Sequence, residues 1–416
     1  MAVFDLSAEQ AADARLAPLQ PAPPLPRIGQ SISVTLIVAQ AVFLAGSYLK
    51  GTWLVAPDGG GVEADFVNVW AAGKLALSGH PALAYDWPTH KLAEVAALGH
   101  PFDGYYGWHY PPTFLFVAAA LALFPYAAAF LIWTVATFLP YLVAVRTIIG
   151  DRVGYLLAAA FPAVVANFFV GQNGFLSAAL LGGALILIER RQTLLAGVLI
   201  GLLAYKPHLG LLIPVALIAG GEWRAIATAA IVAALLAAAA WLAFGTESWL
   251  GFLGHIGQSS QAVFADGKAD WGKLQTAFGA VRTLGGSETL AWAAQGFVAL
   301  VTAAAVAALW RSDVAYALKA AALGTGALLV TPYLYMYDLA VLAVPLAFLI
   351  RLGRAQGSRD DGFRDYELAS IGIVCALMLA FIVPFLKVPL GFAAVLIVAA
   401  LIARRVFDPR AALARA

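Results

Sequence analysis

Residues Trp108 to Phe130 read WHYPPTFLFVAAALALFPYAAAF, apolar enough for a bilayer yet opened by the pair Pro111 and Pro112 and interrupted again at Pro125. The stretch between the prolines falls short of the ~20 residues a helix needs to cross the hydrocarbon layer. Whether it crosses decides which side of a membrane every downstream residue occupies.

The class is set by composition. Of 416 residues, 62% are hydrophobic and 12% charged, more apolar surface than a soluble domain can bury. The chain reads as an all-α polytopic membrane protein. Its formal net charge of +2 matters less than where Lys and Arg fall. A lone cysteine, Cys375, forms no intrachain disulfide or metal cluster. Residues 1–31 lack the apolar core of a signal peptide and read as a disordered cytoplasmic tail. The membrane domain is then 32–405, with 406–416 as a second cytoplasmic tail.

Apolar runs lie near 32–54, 126–147, 153–169, 172–189, 194–219, 224–245, 290–310, 315–332, 335–350, 367–386 and 388–404. Longer polar segments lie at about 56–125 and 246–289. The basic clusters are Arg146 with Arg152, Arg190 with Arg191, Arg224, Arg311 with Lys319, Arg351 to Arg364, and Arg404 to Arg415, and all should be cytoplasmic. The run 194–219 carries Lys206-Pro207-His208 at its middle, better tolerated where a hairpin of two short helices breaks at the far interface. With that split, every cluster falls inside only if Pro111 to Phe124 does not cross. It is therefore expected to be a re-entrant or juxtamembrane helix, leaving about twelve crossings with both termini inside.

This topology gathers Asp65, His109 and Tyr110, Gln172 and Asn173, Lys206 and His208, and Tyr337 and Asp338 at one depth near the outer interface. Ionisable groups are costly there without a role. A carboxylate such as Asp65 can take the proton of an attacking hydroxyl, or it can cap the helix that begins at Phe66. Lys206 can hold a phosphate as a point charge or snorkel to the headgroups. His208 and His109 can donate to the same phosphate, or serve as satisfied interfacial histidines. Tyr110 is a sugar contact or an interfacial anchor, and Gln172 and Asn173 suit paired bonds to sugar hydroxyls or helix capping. Tyr337 and Asp338 contact substrate, with Asp338 pairing with a cation, orienting a sugar hydroxyl or itself serving as the base, or they form an aromatic belt and a cap.

The early Asp65 followed by AAGKLALSGHPALAYD, then YPP, GQN, KP inside an apolar hairpin and a late TPY spread over most of residues 60–350. In that order they resemble glycosyltransferase family 87, membrane enzymes of the GT-C class whose mycobacterial members act on phosphatidylinositol mannosides. The resemblance implies a GT-C-like bundle in a bacterial-type inner membrane, with its site facing the periplasm or exterior. It implies transfer of a hexose, mannose by likeness, from a polyprenyl-phosphate donor to a lipid or glycan acceptor, with Asp65 as general base. Direct displacement from a phosphate leaving group calls for inversion at the anomeric carbon. A His-containing pair often stands in the family where this chain has Tyr337 and Asp338.

There is no nucleotide-type phosphate loop and no HExxH or Cys/His ligand spacing, so neither a nucleotide sugar nor a required metal is expected. The basic clusters are membrane flanks and not a nucleic-acid surface. The rival class is a secondary transporter, for which twelve crossings and a broken hairpin with a lysine would also serve. Against it, the polar candidates lie toward the outer interface and not at the midplane. A polymerase or ligase of lipid-linked glycans would share the donor and differ in the size of the transferred group.

Overall fold

The computed structural model describes residues 27–268, 270–355, 363–379 and 388–407. The tail expected over 1–31 lies outside them as far as residue 26, as do Arg359, Arg410, Arg415 and the end of the run 367–386. From Arg27 the chain is helical, so the last residues assigned to that tail belong instead to the first helix, α1 (Arg27–Leu49). No named strand occurs among the described residues, only an isolated bridge between Val55 and Gly61.

Among the described residues, five helical segments are long and apolar enough to cross a membrane: α1, Tyr126–Ile149, Trp223–Ala265, Glu288–Arg311 and Met336–Ala355. The pair Val153–Ala160 and Ala163–Val170, bent by 62°, makes a sixth if it is one span. The most apolar windows of α1 and of Trp223–Ala265 are each only 11% buried, so Val38, Val42, Leu235 and Leu242 face outward as lipid-facing side chains do. The window in Met336–Ala355 is 72% buried, which makes this segment the centre of the bundle. The remaining apolar runs fold as helices of 10–17 residues, among them Gly174–Glu189 and Tyr316–Val330. By length alone, then, the described residues supply five or six spans; the larger count expected from hydropathy includes these shorter helices.

The opening stretch resolves into a three-residue 3-10 turn, Pro112–Phe114, and the seven-residue helix α4 (Leu115–Leu121). At 1.5 Å per residue this is roughly half of a bilayer crossing. It packs on α2 (Phe66–Leu77), and Gly73 is what allows the approach: a Cβ there would lie 2.0 Å from the Ala118 carbonyl oxygen. α3 (Trp87–Leu98) completes the first outer segment, capped by Asp86, which accepts from the Thr89 backbone N–H. Next come α5 (Tyr126–Ile149), the bent pair α6 (Val153–Ala160) and α7 (Ala163–Val170), and α8 (Gly174–Glu189).

The run around Lys206 is broken as expected. α9 (Thr193–Leu202) and α10 (Ile213–Gly220) are joined by 3-10 turns, Leu203–Tyr205 and Pro207–Gly210, with Lys206 between them. α11 (Trp223–Ser260) carries helical structure into the polar segment 246–289. Gly245, at φ 76° and ψ 169°, is not helical and divides α11 into two helices across a kink; the portion beyond it carries Ser248, His255 and Ser259. A glycine tolerates that backbone where other residues would not. α12 (Ala277–Thr283), α13 (Glu288–Arg311), α14 (Tyr316–Val330), α15 (Ala343–Ala355), α16 (Asp365–Leu379) and α17 (Leu390–Val406) follow.

α3 buries an unusual pair. His90 and Glu94 are both fully buried and lie 3.5 Å apart, and neither His90 ring nitrogen has a hydrogen-bond partner among the described residues. Burial pushes the Glu94 carboxyl from its ordinary 4.5 up to about 8, and the His90 imidazole down to about 3. The folded protein thus keeps a proton on Glu94 that the unfolded chain has already released, so this group costs stability as pH rises from about 4.5 to 8. Glu94→Gln cannot ionise. Its melting temperature is expected to exceed that of the wild type by a margin that is absent near pH 4.5 and grows to a plateau above pH 8. A margin that does not change with pH in thermal scans would contradict this.

Candidate active site

Asp65 stands immediately before α2, but its side chain does not cap the helix. Its Oδ2 instead accepts a hydrogen bond from Gln172 Nε2 at 3.2 Å, and Oδ1 has no partner among the described residues. Burial pushes this carboxyl up to about 6, opposed by the Gln172 bond and by the charges of Lys273 and Lys206.

From Gln172 a chain of bonds runs inward. Gln172 Oε1 accepts from the Tyr110 hydroxyl at 2.9 Å, and the Tyr110 oxygen accepts from Asn173 Nδ2 at 2.7 Å. Asn173 Oδ1 accepts from Lys206 Nζ at 2.7 Å, and the same ammonium pairs with Asp338 Oδ1. Lysine can only donate and carboxylate can only accept, so the two ends fix both amide orientations and the Tyr110 proton. Every donor along the chain points toward Asp65. Bonds aligned in this way polarise one another.

Three glycine, proline and turn features bring these pieces together. Gly174 lets the start of α8 approach the 3-10 segment Met336–Leu342: a Cβ there would lie 2.1 Å from the Tyr337 carbonyl oxygen. Pro207 follows Lys206 and keeps it out of a helix, so its side chain turns inward at 3% exposure. Asp338 Oδ2 accepts from the Tyr335 backbone N–H at 3.2 Å, which anchors the carboxylate at the start of the central segment.

The structure therefore joins Asp65, Tyr110, Gln172, Asn173, Lys206 and Asp338 in one network. Lys206 neither snorkels nor stands free; its charge is spent on Asp338, which thus acts both as ion-pair partner and as cap. Asn173 precedes α8 without a side-chain capping bond. Tyr337 lies under the Lys206 ammonium, 5.2 Å from ring centroid to Nζ, and stacks on Tyr335. His109 and His208 lie apart from this chain, each packed edge-on with Tyr333, with ring centroids 6.2 and 5.6 Å from it. Burial holds the His109 imidazole down to about 3 and therefore neutral.

Two participants escaped the sequence reading. Lys273 closes a short 3-10 turn in the second long polar segment, and its exposed charge acts on Asp65 more strongly than that of Lys206. His255 sits on the outer portion of α11, 3.1 Å from His109. The signal available for Lys273 was a cation within a polar outer segment; for His255 it was only the absence of a helix breaker between Gly245 and Ser260. Among the described residues no three His, Cys, Asp or Glu side chains come together as a metal-binding set.

The family model for glycosyltransferase family 87 matches residues 108–332, more than half of the chain. The matched span holds His109, Tyr110, Gln172, Asn173, Lys206 and His208, whereas Asp65, Tyr337 and Asp338 lie outside it. No curated protein and no solved structure matches the chain.

Lys206→Met would strand the Asp338 carboxylate in the interior, at a cost of about 3–5 kcal/mol. Lys206→Met combined with Asp338→Leu removes both charges and should recover most of that loss. Thermal unfolding of the detergent-solubilised variants measures both, and a double variant no more stable than the single one would refute the pairing.

Proposed function

The chain belongs to glycosyltransferase family 87 and is a membrane glycosyltransferase, and we propose that it transfers a hexose from a polyprenyl-phosphate donor to a lipid or glycan acceptor, with Asp65 as general base. The observation that carries this reading is the state of the Asp65 carboxylate: one oxygen is held by Gln172 and the other is free to receive a proton. The acceptor hydroxyl attacks the anomeric carbon, its proton passes to Asp65 Oδ1, and the polyprenyl phosphate departs with the bonding pair. Displacement from the opposite face inverts the anomeric centre. The leaving phosphate needs charge stabilisation more than a proton. Lys273, His109 and His208 are the groups proposed for it, while Lys206 holds the network that orients Asp65. Mannose is proposed on family likeness alone.

The short helices around the network are proposed to complete a GT-C-like bundle of about twelve crossings, α4 being re-entrant on the non-cytoplasmic side. In a bacterial-type inner membrane the site would then face the periplasm or cell exterior.

Two experiments test these readings. Asp65→Asn should lower turnover about 100- to 10,000-fold while leaving donor binding near normal. In the wild type kcat/KM should fall tenfold per pH unit below about pH 6, where the carboxyl takes up its proton. Full transfer by Asp65→Asn, measured with labelled polyprenyl-phosphate sugars in lipid, would remove Asp65 from the role. For topology, cysteines replacing Asp58 and Ser260 should react with an impermeant thiol reagent applied outside intact cells, and one replacing Gln192 only after the membrane is opened. The reverse pattern would place the site in the cytoplasm.

A further inference from the structure

A second chain of hydrogen bonds joins the first outer segment to the outer portion of α11. Trp87 Nε1 donates to His255 Nδ1 at 3.0 Å, His255 Nε2 lies 3.1 Å from His109 Nδ1, and Ser259 Oγ lies 3.0 Å from that same nitrogen. His255 is only 3% exposed.

The protons on this chain can be assigned from donor and acceptor chemistry. An indole N–H only donates, so His255 Nδ1 must present a lone pair. An imidazolium would set one N–H against another, so His255 is neutral and carries its single proton on Nε2. That proton points at His109 Nδ1, which is therefore bare, whichever way the Ser259 hydroxyl turns. His109 is itself neutral, held down to about 3 by burial. Its one proton is left to Nε2, and this N–H has no partner among the described residues. Beside Tyr333, His208 also carries a buried Nε2 without a partner.

We propose that Trp87 and His255 are positioning residues that lock His109 in its Nε2–H tautomer, so that it meets an oxygen of the donor phosphate as a neutral hydrogen-bond donor. The identity of that ligand rests on the glycosyltransfer reading above; the tautomer lock does not. The lock has a plain purpose. With the opposite tautomer the same nitrogen would aim a lone pair at an anionic oxygen, turning attraction into repulsion.

The test uses full-length protein with 15N-labelled histidine in lipid nanodiscs, the His109 signals being identified by their loss in His109→Gln. The expected spectrum shows Nε2 protonated and Nδ1 bare, with Nε2 shifting when undecaprenyl phosphate is added. Trp87→Phe should release the lock and give a mixture of tautomers. His255→Leu should do the same and lower turnover about 10- to 100-fold. His255→Gln should restore both, because its amide oxygen can accept from Trp87 while its N–H donates to His109. A His109 proton on Nδ1 in the wild type, or a His109 spectrum and turnover unchanged in Trp87→Phe and His255→Leu, would overturn the lock. No Nε2 shift with undecaprenyl phosphate, in protein that still transfers sugar, would overturn the phosphate contact. A wild type with the expected tautomer and no transfer from any polyprenyl-phosphate sugar would sink the glycosyltransfer reading and leave the lock standing.

Discussion

The contact between Lys206 and Asp338 is the interaction on which the network around Asp65 depends. Both side chains are withdrawn from solvent, at 3% and 0% exposure, and the desolvation of such a pair costs several kcal/mol per ion unless further bonds offset it. Those bonds are present: the Asn173 carbonyl and the Tyr337 ring on the lysine, and the Tyr335 N–H on the aspartate. The pair thereby ties the broken α9–α10 hairpin to the central segment and to the start of α8. Because neither end of the chain from Lys206 to Asp65 can reverse its hydrogen-bonding sense, the intervening amides have one arrangement. The Asp65 carboxylate inherits its orientation from a salt bridge it does not touch.

Much of this was legible in the sequence, for reasons of depth. Hydropathy reports where along the membrane normal a residue falls, so it gathered Asp65, Tyr110, Gln172, Asn173, Lys206 and Asp338 at one level before any contact was known. It carries no information about direction around a helix. The sequence thus left Lys206 open between phosphate and headgroups, while 132 residues away Asp338 supplies its partner. His255 was missed for a different reason. A glycine followed by polar and aromatic residues reads as a loop, whereas beyond the kink at Gly245 the chain starts a second helix. Lys273 was missed because a single cation in a polar segment has no pattern to distinguish it from a solvated one. The larger number of crossings came from counting apolar runs, and several of those runs fold as helices too short to span alone.

The two hydrogen-bond chains meet at consecutive residues, and this gives the prolines of the opening stretch their meaning. Tyr110 precedes Pro111, whose ring disfavours the helical conformation for the residue before it. His109 and Tyr110 therefore stay outside the helix that the apolar residues beyond them begin to build. His109 turns toward His255 and Ser259 on α11, while Tyr110 turns toward Gln172 and Asn173 at the start of α8. The Tyr85 hydroxyl holds the Tyr110 carbonyl at 2.9 Å, so the backbone between the two chains is itself fixed. A helix begun two residues earlier would place His109 and Tyr110 about 100° apart on one cylinder, and only one of the two chains could form. The proline pair that delays the start of the helix is thus what lets this stretch stand between the carboxylate network and the histidine relay.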